Sequence, residues 1–125
     1  MSATVLIVDD ELPFVETLTK RLTKRNVHIL SASSGPDALD VLAREPAIDL
    51  VILDVKMPGM DGIQTLRQIK ATHPRVEVVM LTGHAAMETA LEGMRLGALD
   101  YLTKPCSIDQ IMEKLSEAEE KRKKS

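Results

Sequence analysis

The sequence predicts an α/β domain built as a doubly wound, five-stranded parallel sheet of strand order 2-1-3-4-5, with helices on both faces. Three observations carry this. Short apolar runs alternate with stretches of helical spacing five times along the chain, as strands joined by crossover helices do. The runs at 4–8 and 48–53 are continuously apolar or nearly so, the pattern of strands covered on both faces. Polar residues also gather just beyond the ends of the apolar runs, where open sheets of this kind bind ligands.

Each element has its own warrant. Thr4 to Val8 is the first strand. Phe14, Val15, Leu18 and Leu22 share one helical face, with Pro13 in the first turn, where its missing N–H does no harm. Val27 to Ala32 is the second strand. Ser34-Gly35-Pro36-Asp37 is a capped start for a helix that buries Ala38, Leu39 and Leu42 and ends at Pro46. Ile48 to Leu53 is the most strand-like run and delivers Asp54 at its C-terminal end, ahead of the turn-rich Met57-Pro58-Gly59-Met60-Asp61-Gly62. A third helix carries Ile63, Leu66 and Ile69. Val76 to Leu81 is the fourth strand, and Met87, Ala90, Leu91 and Met94 stripe a fourth helix that stops at Gly97. Leu99 to Leu102 is a brief fifth strand. Ser107 to Gln110 is a capping-box pattern opening a last helix that buries Ile108, Ile111, Met112 and Leu115. The domain is expected to span 1–120. Because the stretch from Glu117 is charged and lacks an apolar stripe, it is expected to be a frayed helix end or the start of a linker, with 121–125 a charged C-terminal tail or truncated linker.

Composition bounds the function. A chain of 125 residues is one domain's worth and buries a single core. Its one cysteine, Cys106, cannot form an internal disulfide, and no charged-then-apolar leader opens the chain, so a cytoplasmic protein is expected. No apolar run approaches the ~20 residues that cross a bilayer, so no membrane partner is expected. A net charge of −3 and only two aromatic residues, Phe14 and Tyr101, exclude a general nucleic-acid binder.

The residues at or just past the strand ends are Asp9 and Asp10 after the first, Asp54 after the third, Thr82 after the fourth and Lys104 after the fifth. Any one alone is an ordinary turn former or cap. Together they offer the sheet's switch point groups that hold a cation, a phosphoryl group or a proton. Three crowded carboxylates repel one another, which raises a pKa or demands a cation. Mg²⁺ suits hard oxygen ligands beside a phosphate. With that charge neutralised, Asp54 can attack phosphorus and become an aspartyl phosphate. Lys104 can pair with one phosphoryl oxygen, the Thr82 hydroxyl can donate to another, and Gly83 leaves room for the incoming group.

Asp9-Asp10, the segment Leu53-Asp54-Val55-Lys56-Met57-Pro58-Gly59-Met60-Asp61-Gly62, Thr82-Gly83 and Tyr101-Leu102-Thr103-Lys104-Pro105 together resemble the signature set of two-component response-regulator receiver domains, over nearly the whole chain. The resemblance implies a flavodoxin-like fold and a signalling switch rather than an enzyme acting on other substrates. Asp54 would accept a phosphoryl group from a sensor histidine kinase, and Asp9, Asp10, Asp54 and the Lys56 backbone carbonyl would surround Mg²⁺. By the same resemblance Lys104 and Thr82 contact the phosphoryl group, and Thr82 and Tyr101 form the switch. Tyr101 would turn inward as Thr82 moves, reshaping the face formed by the fourth helix, fifth strand and fifth helix for an output domain or downstream protein, with homodimerisation on phosphorylation left open. Lys104-Pro105 resembles the family's cis peptide, and Lys56 and His84 stand where the family tunes phosphate lifetime. The Thr82-Gly83-His84-Ala85 and Gly97-Ala98-Leu99-Asp100-Tyr101 phrasing resembles receivers attached to enhancer-binding transcription activators.

Three rivals are weaker. A haloacid-dehalogenase-type, Mg²⁺-dependent aspartyl-phosphate phosphatase needs a second Asp two residues after the nucleophile, where this chain has Lys56. A flavin- or nucleotide-binding domain needs a glycine- or hydroxyl-rich loop after the first strand, where Asp9-Asp10-Glu11 would repel phosphate. A degenerate receiver serving only as a scaffold would lack a member of the acidic, Thr and Lys set.

Overall fold

The computed structural model describes residues 3–56, 61–83 and 86–124. Strands and helices alternate strictly: β1 (Thr4–Val8), α1 (Leu12–Thr23), β2 (His28–Ala32), α2 (Gly35–Arg44), β3 (Leu50–Asp54), α3 (Gly62–Thr72), β4 (Glu77–Thr82), α4 (Met87–Arg95), β5 (Asp100–Thr103) and α5 (Ile108–Lys124). The strands pair in parallel as one sheet in the order β2-β1-β3-β4-β5, the predicted topology.

The two-residue period of a strand sorts the core into two layers. Leu6, Val8, Val51, Leu53, Val78 and Met80 pack with Ala38, Leu42, Leu66, Ile69 and Ala90 of α2, α3 and α4. Val5, Ile7, Leu50, Ile52, Val79 and Leu81 pack on the opposite face with Val15, Leu18 and Leu22 of α1 and Ile111 and Leu115 of α5. Burial on both faces is why the central strands read as continuous apolar runs. At the sheet edge, β2 leaves His28 and Ser31 exposed.

Predicted caps form. Ser34 Oγ accepts the Asp37 N–H at 3.2 Å, and in the box opening α5 Ser107 Oγ accepts the Gln110 N–H at 3.1 Å while Gln110 Oε1 accepts the Ser107 N–H at 2.8 Å. A capping box at Asp61 and Gln64, not anticipated, starts α3. The predicted turn residues Met57 to Met60, and His84, lie outside the described residues.

One expectation is corrected. In α4 Ala90 of the predicted stripe is buried, but Leu91 is 44% and Met94 37% exposed, and Ala90 shares the buried line with Ala86 and Gly93. Gly93 sits so close to the sheet that a Cβ there would lie 3.0 Å from Met80 Cγ. A helix packed this tightly turns its small residues inward and its large ones to the flank. At the C-terminus, where the sequence leaves a frayed helix end and a linker both open, residues 121–124 continue α5. Ala118 is fully buried, Lys121 Nζ lies 3.2 Å from the buried carboxylate of Glu77, and Arg122 pairs with Asp49, which also accepts the Thr4 N–H at 2.9 Å.

Candidate functional site

Four of the predicted site residues stand at the carboxyl edge of the sheet. Asp9 directly follows β1, Asp54 and Thr82 are the last residues of β3 and β4, and Lys104 directly follows β5. The register runs Val8 beside Leu53, Asp54 beside Leu81 and Thr82 beside Thr103, so these strand ends lie side by side. Strand alternation then separates two groups. Asp9, Asp54 and Lys104 continue the rows of Ile7, Ile52 and Leu102, whereas Thr82 continues the row of Val78 and Met80, which faces α4.

The first group converges on one spot. Lys104 Nζ is 2.7 Å from Asp9 Oδ2, 2.6 Å from Glu11 Oε1 and 3.7 Å from Asp54 Oδ2. Carboxylate oxygens of Asp9, Glu11 and Asp54 all lie within 4.8 Å of one another. Both aspartates are buried and held by backbone: the Glu11 N–H donates to Asp9 Oδ1 at 2.9 Å, and the Lys56 N–H donates to Asp54 Oδ1 at 3.2 Å. The Lys104 ammonium also lies over the Phe14 ring, 4.7 Å from its centroid. The Lys104–Pro105 peptide is cis.

Electrostatics follow from this crowding. The Asp54 carboxyl is pushed above its ordinary value, first by burial and then by the charges of Asp9 and Asp10; the Lys56 N–H and Lys104 oppose the rise. Burial works against the Lys104 charge, but the carboxylates of Asp9, Glu11 and Asp54 outweigh it and hold the ammonium firmly protonated.

Asp9 Oδ2 is buried, and among the described residues its close polar neighbour is the Lys104 ammonium at 2.7 Å. Buried anionic oxygens cost free energy unless cations meet them, and here one ammonium serves three carboxylates. With three hard oxygen donors in reach of one point, the residues present fit a divalent cation such as Mg²⁺. Asp10 is exposed and is not among these three; Glu11, which sequence reasoning did not single out, is. The signal for Glu11 was a third acidic residue directly after the Asp pair, at the start of a helix.

On the α4 side, the Thr82 hydroxyl donates to the Gly83 carbonyl at 2.8 Å. Tyr101 pairs in register with Met80, two residues before Thr82, and packs half-buried against the same apolar layer as α4. Among the described residues, nothing lies within 4 Å of where a Cβ at Gly83 would stand. Gly62 closes the other flank: a Cβ there would come within 2.7 Å of Val55 Cα and 2.9 Å of the Asp54 carbonyl oxygen, so glycine lets the start of α3 press against the backbone that carries Asp54.

A family model described as the response regulator receiver domain matches residues 5–116. The chain belongs to that family. ZraR of Salmonella typhimurium, a transcriptional regulatory protein, is 41% identical over 114 residues, which cover 91% of this chain and 26% of that protein. The response regulator protein FleR of Pseudomonas aeruginosa is 45% identical over 105 residues, covering 84% of this chain and 22% of its own. The crystal structure of a response regulator receiver domain protein from Clostridium thermocellum matches with a TM-score of 0.92 at 33% identity, over 97% of both chains. The receiver thus spans about a quarter of the length of the curated relatives it matches. It is a signalling domain of two-component systems, and the phosphatase alternative is not favoured. Among the described residues, no helix is long and apolar enough to cross a membrane.

Proposed function

We propose that Asp54 is the phosphoryl acceptor of this receiver, with Asp9, Asp10, Asp54 and the Lys56 carbonyl holding Mg²⁺ and with Thr82, Lys104 and Tyr101 reading the phosphorylated state. The observation that carries this is the convergence of Lys104 on the buried carboxylates of Asp9 and Asp54. An oxygen of Asp54 attacks the phosphorus of a kinase phosphohistidine. A P–O bond forms as the P–N bond breaks, and the electron pair leaves with the imidazole nitrogen, which takes up a proton. When bound, the metal neutralises the carboxylates and the phosphoryl oxygens. Lys104 contributes its ammonium to the transferred group, and burial of Asp54 keeps competing water from its oxygens.

The new group adds about −1.5 to −2 charges. Hydrogen bonds to a charged group contribute roughly 1.5 to 3 kcal/mol each, so contacts from Lys104 and Thr82 are of the size needed to invert a 1:99 equilibrium, about 5.5 kcal/mol. For the Thr82 hydroxyl to reach the phosphoryl group it must leave the Gly83 carbonyl. That rotation empties space on the α4 side, into which Tyr101 can turn. Leu91 and Met94 of α4 are exposed and Tyr101 of β5 is half-buried, and the face formed by α4, β5 and α5 is the one an output domain or downstream protein would read. A cytoplasmic location and a sensor histidine kinase partner follow from this reading, and the resemblance to ZraR and FleR favours an output in transcription.

Intact-mass measurement with acetyl phosphate and Mg²⁺ tests the proposal. Wild type is expected to gain the mass of one phosphoryl group, and Asp54→Asn or chelation of the metal is expected to abolish the gain. Equal labelling of wild type and Asp54→Asn would refute it.

A further inference from the structure

Glu11 stands at the N-cap of α1, but its side chain makes no capping bond there. Cap positions favour short polar side chains that turn back onto the helix, and Glu11 reaches across the site instead, placing Oε1 2.6 Å from Lys104 Nζ, 93 residues along the chain. Its own N–H meanwhile fixes Asp9 Oδ1 at 2.9 Å. One residue therefore holds both the buried carboxylate and its counter-ion. The Lys104 ammonium is drawn to Asp9 at 2.7 Å and Glu11 at 2.6 Å, while Asp54 Oδ2 lies farther off at 3.7 Å.

We infer that Glu11 is a positioning residue that keeps Lys104 on the rim of the site before phosphorylation, and so sets how much of the receiver carries phosphate at a given donor concentration. The inference rests on the reading of Asp54 as acceptor. A phosphoryl group on Asp54 needs the ammonium to turn toward its oxygens, so the contact with Glu11 is made in the free form and given up in the phosphorylated one. An interaction made only in the starting state opposes the change. Of the two carboxylates closest to Lys104, Glu11 is the one that can let go: its side chain is 64% exposed, whereas that of Asp9 is fully buried. Exposed ion pairs of this kind correspond to a roughly two- to fivefold shift in an equilibrium.

The test uses the full chain with acetyl phosphate and Mg²⁺, comparing wild type with Glu11→Gln and Glu11→Asp. The first removes the charge; the second keeps it but shortens the side chain by a methylene, so that it no longer reaches Lys104. Both variants are expected to raise the ratio of phosphorylated to free protein, at limiting donor, roughly two- to fivefold. Both are also expected to shift the side-chain ¹⁵N resonance of Lys104 before any donor is added. An unchanged or lowered ratio in either variant overturns the inference, as does a raised ratio with the Lys104 resonance unmoved, since the effect would then not pass through Lys104. If wild type takes no phosphate on Asp54, the reading of the acceptor fails and takes the inference with it. Labelled wild type with unresponsive variants sinks the inference alone.

Discussion

As the proposed acceptor, Asp54 meets two demands that conflict. It is buried among other carboxylates, which suits an acceptor kept from water, and the burial raises its pKa from the ordinary 3.8. A carboxyl whose pKa is raised by folding costs stability: the loss sets in as pH rises from 3.8 through the raised value and persists at neutral pH. Asparagine keeps the shape and can still accept the Lys56 N–H, while Lys104 retains Asp9 and Glu11. Asp54→Asn is therefore expected to unfold at a higher midpoint than wild type at pH 7 in metal-free buffer. The gap should close as the pH falls below 3.8, where wild-type Asp54 is itself neutral. Thermal melts followed by circular dichroism across that range check this; an equal or lower midpoint for the variant at pH 7 would contradict it.

Among the elements, α5 is tied down at both ends of its exposed run. Lys114 is nearly buried and paired with Asp100 at 2.6 Å and Glu117 at 2.9 Å; these two carboxylates hold its ammonium firmly protonated. One end of the sheet away from the site, the buried carboxylate of Glu77 meets Lys121 at 3.2 Å and Lys70 of α3 at 3.6 Å. Either lysine can serve as counter-ion, so Lys70→Met or Lys121→Met alone should cost about 1 kcal/mol or less. Together they strand a charge in the core and should cost roughly 3 kcal/mol or more, well beyond the sum. Urea midpoints of the two single variants and the double variant measure the coupling, and strict additivity would show that Glu77 does not depend on them. These ties explain how the charged end of α5 holds as helix. Lys121 and Arg122 offer no apolar stripe, and their partners Glu77 and Asp49 lie far back in the chain, so nothing local marks them as bound. In α4 apolar periodicity marks Ala90 but also Leu91 and Met94, whereas close approach to Met80 selects Gly93, which carries no apolar side chain to signal it.

For the molecule as a whole, the strand order and most of the site were legible because each rests on local signals. Both-face burial writes continuous apolar runs at β1, β3 and β4, and a parallel sheet brings the residue after each run to one edge, so Asp9, Asp54, Thr82 and Lys104 were readable by position alone. Glu11 was not, because its part depends on a contact across 93 residues that no spacing encodes. The edge of the sheet is thus divided into an anionic cluster on the α1 side and a hydroxyl and tyrosine on the α4 side, and in the proposed switch a charge placed on one would be felt by the other. That division matters only if the charge arrives at Asp54. Peptide mapping of the phosphorylated receiver after borohydride reduction, which converts an aspartyl phosphate to homoserine, localises it directly. The account predicts homoserine at position 54 and at no other aspartate; modification at Asp9, Asp10 or elsewhere, with Asp54 intact, would contradict it.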